Sequence, residues 1–201
     1  PEPYVDLHAE DAHAAGVEPG GLAQVVTRWG RLVARARCSG DVPRGQLFVP
    51  MHWSDPWTLR GRVDALVNPV VDPVSGEPEF KHTPARIEPW TTTWHGFVLA
   101  RNRVDPPDGA WWARSQGERH QRYEIAGDAA SRPGAAWVRA LALRVPRAEI
   151  AEYEDERAGV YRAAVFSQGR LELCVFVAPR GRVLPPRDWL SGLFAAERVE
   201  G

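Results

Sequence analysis

The stretch VEPGGLAQVVTRWGRLVARARCSG, residues 17–40, decides how the first half of the chain is read. It holds two runs, 22–27 and 31–38, rich in the apolar and branched residues that suit a pleated, half-buried surface. In the second run Leu32, Ala34, Ala36 and Cys38 alternate with Val33, Arg35 and Arg37, the period of two that turns one side of a strand to a core. Arg28, Trp29 and Gly30 hinge the runs, and Gly30 is expected to take the positive φ that a bulged hairpin turn needs.

Upstream of this hairpin, PYVDLH reads as a short strand, and AEDAHAAG as a brief helix with early acids and Gly16 as its stop. Downstream, Pro43 and Gly45 turn the chain into a strand over 46–49. Residues 51–84 then form a long section rich in Pro, Gly, Asp and Asn, and 85–88 read as a strand that returns to the body. Long connections without regular structure are uncommon in compact domains and often bind ligands. Short strands, turn signals and one such loop suggest a small β-barrel.

The texture changes near residue 90, so the expected organisation is one domain over 1–90 and a small α+β extension over 91–201. In the extension, strands are expected at 97–101 and within 119–128, with a loop at 105–109. A helix should start near Gly134. Runs 160–166 and 171–177 flank a tight turn at 167–170, and a last helix begins near Pro186. Glu152, Glu154, Asp155 and Glu156 read as a solvated charge run rather than a catalytic dyad.

A net charge of −1 gives no general attraction to nucleic acid or anionic lipid. No run approaches the roughly 18 apolar residues of a membrane helix. Neither nucleic acid nor a membrane is therefore expected as a partner. Cys38 and Cys174 stand far apart, outside any Cys-x-x-Cys or Cys/His cluster. They suit a reducing compartment and the role of small buried hydrophobes, and they supply no structural zinc or iron–sulfur set. The sole methionine is Met51 and the chain opens at Pro1, so a piece of a longer or processed protein is expected.

Several chemistries are set aside for want of their motifs: the Gly-x-Ser-x-Gly elbow, the Walker-type phosphate loop, and Gly-x-Gly-x-x-Gly after a strand. His8 and His13 miss the zinc-protease spacing and read as residues of a surface helix. No catalytic residue and no metal ligand is assigned. PMHWSDPW is more informative, because His52, Trp53, Asp55 and Trp57 cluster where a strand gives way to the long loop. They suit either packing on a barrel or a flat aromatic and imidazole wall against a heterocycle. Lys81 is the one lysine among 25 Lys and Arg residues. A site that keeps a lysine in an arginine-rich chain suits a compact ammonium meeting an anionic oxygen as a point charge.

Residues 1 to about 88, through the stretches PYVDLH…PMHW at 3–53 and DALVNPVVDPVSGEPEFKHTPARIE at 64–88, resemble the dinucleotide-binding C-terminal domain of molybdopterin oxidoreductases. That resemblance implies a double-psi β-barrel, here partial and lacking its first segment. It also implies a molybdenum centre carrying two molybdopterin guanine dinucleotides. Within the family, MHW, NPVVDPVSGEPEFK and the extension are most similar to bacterial assimilatory nitrate reductases, cytoplasmic enzymes that reduce nitrate to nitrite. In many of them the extension leads to a [2Fe-2S] domain, whose cysteines this chain lacks. A formate dehydrogenase and a free-standing ligand-binding or interaction module are the rival readings.

By the same resemblance, the molybdenum ligand and a [4Fe-4S] cluster belong to upstream parts, so this stretch alone is expected to be inactive. Its partners are then the other domains of the catalytic subunit and an electron-donor protein or domain. The family places Lys after an acid and an aromatic near the loop's end, matched by Glu79, Phe80 and Lys81. Asp64 stands where the family has Asn. An ionised carboxylate only accepts hydrogen bonds and repels phosphate. The alternatives are a protonated Asp64, an ionised one accepting from a pterin or guanine N–H, or a displaced Asp64 with Asn68 serving instead. Met51 and His52 match the position after the family's proline. Loss of the Lys81 contact is expected to cost on the order of 1.5–3 kcal/mol of binding.

Overall fold

A computed structural model of the chain describes residues 1–79 and 82–195. It separates into two compact units, 1–91 and 92–201, each built around its own sheet. The protein is mainly β, with few helices.

Unit 1 contains β1 (Tyr4–His8), α1 (Ala9–Ala14), β2 (Leu22–Val26), β3 (Arg31–Ser39), β4 (Leu47–Phe48) and β5 (Arg86–Pro89). The strands form one mixed sheet in the order β4-β1-β3-β2-β5. β2 and β3 are the expected antiparallel hairpin, Ala23 facing Ala34 and Val25 facing Leu32. β1 lies parallel to β3, Val5 opposite Ala36 and Leu7 opposite Cys38. Such a parallel pair needs a crossover, here supplied by α1 and the segment after it. Val5, Leu7, Ala23, Val25, Leu32 and Ala34 are buried in one core. Each Val or Leu there contributes about 1.5–3 kcal/mol.

His8 differs from its expected place on the helix surface. It ends β1 and caps α1, its Nδ1 accepting from the Glu10 N–H at 3.2 Å, which satisfies one of the orphan donors of the first turn. The hairpin turn also differs. Gly30 does not adopt the left-handed region; the Thr27 hydroxyl closes the turn by accepting the N–H groups of Trp29 and Gly30, each at 3.2 Å. Glycine is needed for space, because a Cβ at Gly30 would lie 2.2 Å from the Ala65 carbonyl oxygen.

Unit 2 contains β6 (Trp94–Ala100), β7 (Trp111–Gln116), β8 (Gln121–Gly127), α2 (Ala135–Ala142), β9 (Ala148–Asp155), β10 (Val160–Ser167), β11 (Arg170–Pro179) and α3 (Arg187–Leu193). Its six strands run antiparallel in the order β7-β8-β6-β11-β10-β9. One face carries Trp94, Val98, Tyr123, Val165 and Val175 against Val138 and Leu141 of α2. The other carries Phe97, Leu99 and Cys174 beneath Leu190 and Phe194.

β7 and β9 are strands where none was expected. β9 is the acidic run: seven of its eight residues are exposed, as suits a strand at the sheet's edge, and ladder bonds to β10 hold it without an apolar face. β7 lies at the opposite edge, paired to β8 alone.

Candidate functional site

The loop that follows β4 is tied to the sheet at defined points. Parallel pairing with β1 begins only at Arg35 of β3, so the upstream end of β3 on that side needs other partners. Val33 N–H donates to the Arg60 carbonyl at 2.8 Å, and Arg60 reaches this position with a φ of 60°. Backbone in this region is disfavoured for a side chain as large as arginine. Three residues on, the 3-10 turn Val63–Ala65 sits against Gly30, and Leu66 enters the core of unit 1. The Arg60 guanidinium lies over the Trp90 ring at 5.4 Å. The hairpin that organises the sheet thus also fixes the middle of the loop.

Beyond Leu66 the chain forms a small flap. Val71 and Pro78 make an antiparallel bridge, Asp72 N–H donates to the Glu77 carbonyl at 2.8 Å, and Glu79 N–H donates to the Val70 carbonyl at 3.2 Å. Its tip is an Asx turn. One Asp72 carboxylate oxygen accepts from the N–H groups of Ser75 at 2.7 Å and Val74 at 2.9 Å, and from the Ser75 hydroxyl at 3.0 Å. These bonds, the one from Ser75 N–H first, hold the Asp72 carboxyl below its ordinary range. Gly76 follows with a φ of 73°. Asp-Pro-Val-Ser-Gly is therefore a turn with a mechanism, and it aims the chain into Glu79.

The expected site residues fall on this frame as follows. Met51 and His52 are exposed on the turn after Phe48 of β4. Asp64 is exposed in the 3-10 turn, Asn68 is half-buried just past it, and Glu79 is exposed at the end of the flap. Phe80 and Lys81 lie outside the described residues. Trp53 is half-buried and Trp57 exposed at 36%.

One residue escaped the sequence reading. Thr83 Oγ1 is buried with no hydrogen-bond partner among the described residues, two positions beyond Lys81. A buried hydroxyl without a partner costs about 1–3 kcal/mol, so this position suits a polar ligand group. Only proximity to the lysine could have pointed to it. The loop also exposes apolar surface: Met51 at 51%, Leu59 at 39%, Val70 at 58%, Val71 at 53% and Val74 at 95%. Single exposed apolar residues are ordinary, but this density on one loop marks a surface suited to being covered.

The thiols do no comparable work. Both are free; burial raises the pKa of Cys38, and burial pushes Cys174 up to about 12, leaving it a protonated, unreactive core group. Among the described residues no group of three or more His, Cys, Asp or Glu could hold a metal ion, and no helix is long and apolar enough to cross a membrane.

Comparison with known proteins bears on residues 1–84, which match the family model described as the Molydopterin dinucleotide binding domain. The chain is 36% identical over 131 residues to a nitrate reductase of Klebsiella oxytoca, covering 65% of this chain and 15% of that protein. It is 30% identical over 87 residues to the F420-dependent formate dehydrogenase subunit alpha of Methanocaldococcus jannaschii, covering 43% of this chain and 12% of that protein. To the assimilatory nitrate reductase catalytic subunit of Bacillus subtilis it is 27% identical over 88 residues, covering 44% of this chain and 12% of that protein. The chain thus spans less than a sixth of the length of these relatives.

Proposed function

We propose, from the premise that residues 1–84 belong to the dinucleotide-binding C-terminal domains of molybdopterin oxidoreductases, that this chain forms part of a cytoplasmic assimilatory nitrate reductase. In this reading unit 1 closes with the rest of the subunit as a double-psi β-barrel. Its loop forms one wall around a molybdenum centre carrying two molybdopterin guanine dinucleotides. When bound, that centre supplies the oxygen-atom transfer from nitrate.

This chain's own residues hold and orient the nucleotide. Lys81 offers a compact ammonium to an anionic or pterin oxygen, and Thr83 offers the hydroxyl that otherwise stays unpaired. Asn68, half-buried after the 3-10 turn, offers both a donor and an acceptor, which an ionised Asp64 cannot. Met51, His52, Glu79 and Phe80 complete the wall. The exposed apolar residues of the loop suit burial against the other domains of the subunit, and electrons arrive from a donor through an upstream [4Fe-4S] cluster.

The observation that carries nitrate reductase over its rivals is the reach of the similarity. The match to the Klebsiella oxytoca nitrate reductase runs over 131 residues, more than the 91 of unit 1 and so into unit 2. The formate dehydrogenase matches run over 87 and 86 residues, no more than unit 1 can hold. Formate dehydrogenase is the second reading, because those enzymes also match over the length of the shared domain, at 30% identity. The test is the full-length protein, purified with its molybdenum and assayed with a viologen dye. Nitrate-dependent oxidation of the reduced dye is expected. Formate-dependent reduction of the oxidised dye would move the assignment to the second reading, and neither activity in molybdenum-loaded protein would overturn both.

A further inference from the structure

One end of the unit 2 sheet gathers arginines from four places. Asn102 and Arg103 follow β6, Arg144 follows α2, Arg147 precedes β9, and Arg170 begins β11. The sheet register brings the last two together, since Ser167 pairs with Ala148 on one side and with Arg170 on the other. The Ser167 hydroxyl locks this arrangement by donating to the Pro146 carbonyl at 2.7 Å.

Between them lies a cavity of about 530 Å³ whose mixed lining includes Arg144, Arg147, Arg170, one carboxylate, Glu172, and the apolar Val145 and Pro146. That carboxylate is already engaged by Arg170 at 2.7 Å and approached by Arg101 at 3.9 Å. Arg144 is paired at 2.8 Å with the exposed Asp105. Arg103 and Arg147 form no ion pair among the described residues. Burial, and after it the charge of Arg170, lowers the pKa of Arg101, while Glu172 acts the other way.

A second cavity opens beside the first and shares Asn102, Arg144, Val145 and Glu172 with it. It measures about 190 Å³ and its remaining wall is largely aliphatic: Val104, Leu141, Val165 and Leu173. Arg147 holds a φ of 52°, a conformation that disfavours a long side chain, and cavities with such strain are candidate binding places. An apolar cleft ending in a few convergent polar groups is the usual form of a small-ligand site.

We propose that these joined cavities bind a small amphipathic anion, a compact apolar group bearing a phosphate or carboxylate. The apolar group enters between Leu141, Val165 and Leu173, and the anionic oxygens meet Arg147 with Arg144 and Arg170. Arginine suits this role because its planar fork matches both carboxylate and phosphate. This site belongs to unit 2 and does not depend on the cofactor reading of unit 1.

The test is calorimetric titration of the full chain with four probes: phenyl phosphate, benzoate, inorganic phosphate and benzyl alcohol. At least one of the first two should bind at least tenfold tighter than either inorganic phosphate or benzyl alcohol, and which one wins identifies the anionic group. Arg147→Gly should weaken that binding at least fivefold while preserving the melting temperature, because glycine adopts a φ of 52° without strain. Phenyl phosphate and benzoate binding no tighter than inorganic phosphate would overturn the proposal. So would a folded Arg147→Gly chain that keeps the parent affinity.

Discussion

Gly30→Ala tests the junction between the hairpin and the long loop that follows β4. The added methyl would stand 2.2 Å from the Ala65 carbonyl oxygen, 3.1 Å from its carbon and 3.4 Å from its Cβ. Ordinary contact requires roughly another 1 Å, and the blocking atom is backbone in a 3-10 turn held from both sides by Arg60 and Leu66. Forced overpacking of this kind costs about 1–3 kcal/mol. For a unit of this size each kcal/mol moves the melting temperature by roughly 4–8 °C, so a mid-range cost of about 2 kcal/mol lowers it by about 8–16 °C. Gly40→Ala is the control, since its Cβ would meet nothing within 4 Å and its φ is not left-handed. Scanning calorimetry of both variants should show a marked fall in the first and almost none in the second. Equal melting temperatures for Gly30→Ala and the parent would refute the claim that close approach explains this glycine.

Other outcomes follow from the same structure. In unit 2, Arg187 binds both oxygens of the buried Glu124, at 3.2 and 2.8 Å, and lies 4.4 Å over the Phe97 ring. Arg187→Ala leaves that carboxylate with Arg122 alone, and a loss of about 3 kcal/mol is expected in chemical denaturation. His120 is buried beneath α3, its ring 3.2 Å from the Ser191 hydroxyl; burial first, then Arg122 and Arg101, lowers its pKa below the ordinary 6.5. The unfolded chain therefore binds the proton more readily. Stability from this group is present above about pH 6.5 and falls as pH drops towards the depressed value, a slope that His120→Gln should flatten in thermal melts. Asp72→Ala removes the acceptor of the flap turn, so amide exchange at Val74 and Ser75 should quicken while the core strands of unit 1 exchange as before.

What could be read from the sequence followed from periodicity. β2, β3, β10 and β11 carry clear alternation or paired apolar runs around a turn, and each forms within a residue or two of its expected bounds. β9 was illegible because an edge strand buries almost nothing, so its acids at 149, 152, 154 and 155 mix with exposed Ile150 and Tyr153 and no clean apolar face shows in the sequence. β7 was illegible for a different reason: its buried positions include polar residues on both faces, Ser115 following Trp111 and Ala113 on one and Arg114 following Trp112 on the other. Gly30 shows the limit of local rules, since the atom that demands glycine belongs to Ala65, far along the chain. The loop that bears the candidate site was visible as a break in periodicity. Its anchoring through Val33 and Arg60 is a tertiary contact that no short window contains.

The most direct measurement is the content of molybdenum and guanine nucleotide in the full-length protein and in its Lys81→Ala variant. Two guanine nucleotides per molybdenum are expected in the parent, with a clear fall in the variant and an unchanged melting temperature. Parent protein carrying neither metal nor nucleotide, or a variant that retains both in full, would contradict the assignment of this loop to the cofactor.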